Sequence, residues 1–427
     1  MTDIPRGILL ALTAAAAACM PAAAADPLPA DGASRVFDPR FRTLRLVNPD
    51  VFTGMPVIRL GTDDRLTVSF DELGDDYSYL QYRILHCNAD WQRSQLVESE
   101  YLDGFNIADI TDYAFSSNTY VHYVNYSLTI PDGRMSPTVS GNYLLQVFPQ
   151  DDPDRTILQI RFCVSENAVA VGGEATSLTD RDINTDWQQV NLSVATSDFP
   201  LKSPFTDVFL VVSQNGRPDA TRTIMRPQQM KGRTLVYEHI PDLIFPAANE
   251  YRRFETVRAN YPGMNVDSVG FGGRNYHAWL RTDSPRAFSP YSFDATQNGR
   301  FMIDEYNSTD PDLGADYITV HFELDHPQVM NADIYVDGQM TLNGFSEANR
   351  MKYDPDRRLY TLELPLKQGS YNYQYVAVPK GKTSPADHSL VEGNKYETRN
   401  EYQVYVYLRE PGSRADRLIG TAQLFPR

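Results

Sequence analysis

Apolar and polar residues alternate with a period of two along most of this chain, the pattern of strands with one buried face. Leu80, Tyr82 and Ile84 fall on one side of such a run, and Gln81 and Arg83 on the other. Short runs rich in β-branched and aromatic residues predict strands at 65–70, 123–130, 143–148 and 156–164. A second group is predicted at 187–196, 207–213, 221–226, 234–239 and 276–281, with Asn215-Gly216 the best hairpin turn in the chain. A third group covers 301–306, 316–324, 332–336, 358–364, 371–378, 401–408 and 418–422. No stretch sustains the i, i+3, i+4, i+7 apolar spacing of a core helix. The prediction is an all-β fold of tandem antiparallel β-sandwich domains, immunoglobulin-like or early-set-like.

A length of 427 residues suits two to four domains. The expected division is 26–165, 166–283 and 284–427, following a leader at 1–25. That leader has Arg6, a short apolar core and Ala23-Ala24-Ala25 before Asp26, as in a secretory signal peptide. Cys19 offers a rival reading, cleavage before it and a lipid anchor, but Ala16 stands where a Leu is usual. Beyond the leader no apolar run reaches the ~20 residues of a spanning helix. The expectation is a soluble mature protein outside the cytoplasm. With 55 acidic against 39 basic residues, a net charge of −16 argues against nucleic acid and anionic lipid. Cys87 and Cys163 lie on the less apolar sides of two predicted strands, which permits a disulfide without requiring one.

Candidate chemistry is sparse. Gly344-Phe-Ser346-Glu-Ala348 is one residue from a nucleophile elbow, yet no helix is predicted after it. Gly270-Phe-Gly272-Gly273 lacks the Lys-Ser/Thr of a phosphate loop. Asp310, Asp312 and Asp316 are spaced like the start of a calcium loop, but His321 stands where the closing Glu belongs. His321 and His326 are predicted on opposite faces, against a zinc site. The expectation is no enzyme, no cofactor and no small-molecule ligand.

The most distinctive stretch is the excursion at 88–105 that follows the strand ending at Cys87. It carries Trp91, Leu96, Tyr101, Leu102 and Phe105 among Asp90, Glu98, Glu100 and Asp103. Aromatic anchors ringed by charge make a binding hot spot, or they close the end of a sandwich. The tyrosines at 371, 373 and 375 and at 402, 405 and 407 read as sheet faces, or as an exposed adhesive surface.

These strings carry a resemblance. His86-Cys-Asn-Ala-Asp-Trp91, Ser99-Glu-Tyr-Leu-Asp-Gly-Phe105 and Asn125-Tyr-Ser-Leu-Thr-Ile-Pro131 resemble the type IX secretion system plug protein family of Bacteroidota. The likeness continues through Ser140-Gly-Asn-Tyr-Leu-Leu145, Phe245–Phe254, Gly393–Tyr407 and Asp416-Arg-Leu418. It implies a periplasmic protein on the inner side of the outer membrane. Its expected partner is the large translocon barrel, whose periplasmic mouth it closes when no cargo is engaged. A second resemblance, across Asp333–Val376, is to glycogen-binding sandwich modules and implies a carbohydrate-binding alternative. Its platform candidates are Phe345 and Tyr353, since Trp91, Trp187 and Trp279 all precede the third expected domain.

Overall fold

The computed structural model describes residues 32–196, 199–382 and 386–426, so the expected leader at 1–25 lies outside the described residues. Strands dominate, and among the described residues the three α-helices are single turns, Glu98–Tyr101, Pro204–Asp207 and Pro311–Gly314. The alternation read from the sequence becomes burial directly. Leu80, Tyr82 and Ile84 are buried, while Gln81 and Arg83 are partly exposed. Most pairings are antiparallel; Val57–Arg59 on Leu158–Ser165 and Tyr276–Leu280 on Tyr317–Leu324 run parallel.

The first sandwich packs two sheets. One runs Arg35–Val36, Leu158–Ser165, Gly141–Pro149, Leu80–Cys87, Ala108–Asp109; the other runs Phe41–Val47, Leu66–Leu73, Tyr123–Ile130, Asp112–Phe115. Phe70, Tyr126, Leu145 and Phe162 meet in its core. The second sandwich forms around Val190, Leu210, Leu235 and Val404, the third around Phe254, Val320, Phe322 and Tyr375. Asn215 and Gly216 both take positive φ, 54° and 65°, at the hairpin where that turn was expected.

Two strand allegiances differ from the expected division. Tyr402–Leu408, expected in the third block, pairs along its whole length with Val208–Gln214, and Arg417–Leu424 pairs with it in turn. Conversely, Tyr276–Leu280, expected in the second block, joins Tyr317–Leu324 in the third sandwich. Sheet membership follows which edge lacks a partner, and chain order does not reveal that. We therefore read the second sandwich as discontinuous, with the third inserted before its last two strands.

Buried polar contacts cross the seams between sandwiches, alongside an apolar cluster of Cys163, Phe209, Tyr407 and Leu418 between the first and second. Between the first and third, Lys367 Nζ donates to Asp71 Oδ2 at 2.8 Å, both side chains fully buried, and Tyr317 Oη donates to the same carboxylate at 2.7 Å. Asp316 accepts from the backbone N–H groups of Tyr120 and Val121 at 2.8 and 3.0 Å. Between the second and third, Arg217 is buried against Asp219, Asp337 and His388. Buried charges of this kind persist only when paired and hydrogen-bonded, so each seam fixes one relative placement.

Candidate docking surface

The excursion at 88–105 divides in two. Its first half is an internal joint. Ala89 N–H donates to Asp416 Oδ2 at 3.0 Å, Asp416 N–H donates to Asn88 Oδ1 at 3.1 Å, and Asn142 Nδ2 donates to the Asn88 carbonyl at 3.0 Å. Arg409 holds the same Asp416 carboxylate through two bonds of 2.6 Å. Trp91, at φ 65°, lies with its ring 4.3 Å from the Arg161 guanidinium, partly buried. The tight turn around it is closed by the Trp91 N–H on the Asn88 carbonyl at 2.9 Å. Leu96 packs against the first core, and Tyr101 and Leu102 belong to it, 3% and 6% exposed. Four of the five predicted docking residues thus lie wholly or partly in the scaffold.

Cys87 and Cys163 are free and buried. Both stand opposite Asn142, on the two strands flanking the one that carries it. Two strand spacings of about 4.8 Å separate them, roughly 10 Å and beyond the reach of a disulfide. Burial pushes both thiols up to about 12, so they are inert as nucleophiles.

The second half turns outward. Gly104, at φ 102°, lies so close to the Arg134 carbonyl that a Cβ there would sit 1.9 Å from its oxygen. The chain then presents Phe105 at 83% exposure and Ile107 at 50%. Between them Asn106 points inward, accepting from Ile84 N–H at 3.0 Å and donating to Glu98 at 3.0 Å and Tyr101 Oη at 3.3 Å. A buried amide clamp therefore holds two apolar side chains in water. Val97, eight residues before Phe105, is exposed as well.

The chain next crosses from one sheet to the other through Ala108–Asp109 and reaches the Asp112–Phe115 strand. Tyr113 and Phe115 meet Tyr77 there, at ring distances of 4.7 and 6.3 Å, and Tyr77 meets Tyr79 at 5.1 Å. Of these, Tyr79, Tyr113 and Phe115 are exposed. One side of the first sandwich is thus an apolar, aromatic surface from Val97 to Phe115. It has an electrostatic signature that the strand reading passed over. Neither 66–82 nor 94–133 contains a single Lys or Arg, while Asp75, Asp76, Asp103, Asp109 and Asp112 are exposed within them. The run of 40 residues without Lys or Arg was visible in the sequence, had charge been read locally, and the structure exposes six large apolar side chains within it.

A family model for the type 9 secretion system plug protein 1st domain matches residues 41–166, which includes this whole surface. A crystal structure of a hypothetical protein from Parabacteroides merdae is 38% identical, with a TM-score of 0.90 over 92% of this chain and 99% of that one. The chain belongs to the type IX secretion system plug protein family. Plug-family membership associates it with that secretion system and with the cell envelope. Other solved structures are dissimilar: the N-terminal region of an enterococcal surface protein (5% identity, TM-score 0.18, covering 90% of this chain and 94% of that one). A serine-rich repeat adhesin of Streptococcus agalactiae is alike in this (8%, TM-score 0.14, 91% and 96%). No curated protein matches the chain. Among the described residues no helix is long and apolar enough to cross a membrane.

The remaining candidates of the plug chain have structural partners. Ser346 Oγ donates to Asn349 within a loop, at 3.2 Å. Asp312 pairs with Arg45 and Asp316 with the loop at Tyr120, so the calcium-like spacing is taken up in a seam. Tyr371, Tyr373, Tyr375, Tyr402 and Tyr407 are buried and Tyr405 is half-buried against the cluster of Cys163 and Phe209, which leaves no adhesive tyrosine face there. Phe345 packs on Tyr335 and Tyr353 on Tyr360. Trp279, in contrast to the expectation, stands in the third sandwich, its ring stacked on His321 at 4.7 Å. His277 and His321 share a hydrogen bond of 2.8 Å across the parallel pairing, a neighbour relation that sequence spacing could not show. Among the described residues no group of three metal-ligating side chains assembles.

Proposed function

We propose that the protein is a non-enzymatic plug, bound at the periplasmic mouth of the type IX outer-membrane translocon and sealing it while no cargo is engaged. The observation that carries this reading is the clamped apolar side of the first sandwich, Val97, Phe105 and Ile107 with Tyr79, Tyr113 and Phe115. Closing a pore needs bulk that does not flex and a matched adhesive patch. The polar seams supply the first and this side the second. Of the docking residues expected from sequence, Phe105 keeps the role, and Val97 and Ile107 join it. Each good anchor at such a site contributes ~2 kcal/mol or more.

The test is capture of the translocon barrel from detergent-solubilised outer membranes by tagged protein. The wild type retains a large outer-membrane protein, and Phe105→Ser with Ile107→Ser does not. Wild-type protein that captures no such barrel, yet is retained on polysaccharide resin, would overturn the reading in favour of a carbohydrate-binding protein.

A further inference from the structure

The Asp112–Phe115 strand ends its sheet, and its open edge is chemically specific. Its neighbour pairs are Asp112 with Ser127, Tyr113 with Tyr126, Ala114 with Asn125 and Phe115 with Val124. Ser116, next along, donates its N–H to the Tyr123 carbonyl at 2.8 Å. Opposed residues in an antiparallel pair alternate between exchanging hydrogen bonds and facing away. Asp112, Ala114 and Ser116 therefore face inward, and Tyr113 and Phe115 turn their N–H and C=O groups to the open edge. Among the described residues nothing else bonds to those four groups.

Exposed edges are ordinarily guarded by Lys, Pro or a covering segment. The edge strands Gln229–Lys231 and Lys352–Asp354 each carry a Lys. Asp112–Phe115 carries neither Lys nor Pro, and its side chains extend the aromatic patch of Tyr77 and Tyr79. Asp112 lies on the strand, exposed Asp109 precedes it and exposed Asp75 and Asp76 precede Tyr77, and His122, on Asp75, is the one basic side chain in the two flanking stretches. The edge thus offers backbone donors and acceptors, an apolar floor and an excess of carboxylates with no Lys or Arg in the same stretches.

We propose that this edge receives an extended segment of the partner, added as a fifth strand beside Asp112–Phe115. Alternate side chains of that segment are apolar and lie on the Tyr77, Tyr79, Tyr113 and Phe115 rings. Those between are Lys or Arg and face the carboxylates. The inference rests on the plug reading only in assigning the segment to the translocon.

The probe is a labelled synthetic peptide of about ten residues alternating Val and Lys, with a Val/Glu peptide as control. Binding is followed by fluorescence anisotropy, and the contact is located by hydrogen exchange. The Val/Lys peptide should bind and slow exchange at 112–116. Phe115→Pro removes one outward N–H without touching the inner pairing, and Phe115→Ala removes only the ring. Phe115→Pro should weaken peptide binding by about tenfold more than Phe115→Ala, at equal melting temperature. The proposal is overturned if the peptide fails to bind or protects another region. Equal binding of the Val/Glu peptide, or equal effects of the two variants, overturns it too. Barrel capture unaffected by Phe115→Pro overturns the assignment to the translocon. Peptide binding by a wild type that captures no barrel refutes the plug reading and leaves the edge to another partner.

Discussion

The seams and the open side of the first sandwich invert the usual arrangement of a protein. Where sandwiches meet, charge is buried, as at Asp71, Lys367, Arg217 and Asp337. Where the first sandwich meets water, aromatic and aliphatic side chains stand out at Phe105, Ile107, Tyr79 and Phe115. Apolar seams would tolerate sliding, whereas a buried ion pair accepts one geometry. Exposed apolar residues gathered on one side mark a surface kept for association. The contrast teaches that rigidity and adhesion reside in different parts of this body.

The largest effect expected is inside the first core. Tyr101→Ala with Leu102→Ala removes two buried side chains and should cost about 5 kcal/mol or more, read by denaturant unfolding. A small loss would mean that this half of the excursion is peripheral, and the contrast with Phe105 would fail.

Next, Lys367→Met strands the Asp71 carboxylate and should cost about 3–5 kcal/mol. Adding Asp71→Asn, which keeps an acceptor for Tyr317, should recover most of it. No recovery would show that the seam depends on packing rather than on the pair.

A smaller effect concerns pH. Burial, and then the adjacent Arg217 guanidinium, hold His388 well below its ordinary value. The folded protein keeps this imidazole neutral, while the unfolded chain protonates it as pH falls through about 6.5. Its contribution is therefore present at neutral pH and lost as the medium acidifies below that point. Burial raises Asp337 and acts in the opposite sense at lower pH, so His388→Gln isolates the imidazole's share. The variant should show a shallower fall in melting temperature between about pH 7 and 5.5; an identical slope would assign the acid sensitivity elsewhere.

The smallest effect is the sharpest. Phe105→Ser with Ile107→Ser should change stability by less than about 0.5 kcal/mol, measured in the same unfolding assay. A larger loss would place these two side chains with the scaffold and dissolve the contrast.

Strand positions were legible because alternation is local. The run at 123–130 was predicted where Tyr123–Ile130 forms, and the Asn215-Gly216 turn was read from two residues. Partners were not legible. Nothing near Trp279 announces that it stacks on His321, and nothing near Val208–Gln214 says that its neighbour is Tyr402–Leu408. The excursion at 88–105 was found for its composition, but composition does not separate Tyr101 from Phe105. That separation depends on Asn106 and Gly104, whose roles appear only when Ile84 N–H and the Arg134 carbonyl are in place.

The late return of the chain to the second sandwich has a consequence for its birth on the ribosome. The Val208–Gln214 strand pairs early with Thr221–Ile224 through the Asn215-Gly216 hairpin, but its other edge must wait for Tyr402, 188 residues after Gln214. At about 5–20 residues per second this delay is roughly 10–40 s. Through that interval the other edge of Val208–Gln214, with Phe209, Leu210 and Val212, is an open and sticky one. The first sandwich, drawn from contiguous chain, can close long before. The nascent polypeptide therefore carries a finished head and an unfinished waist, and the waist is where a holding chaperone would be needed.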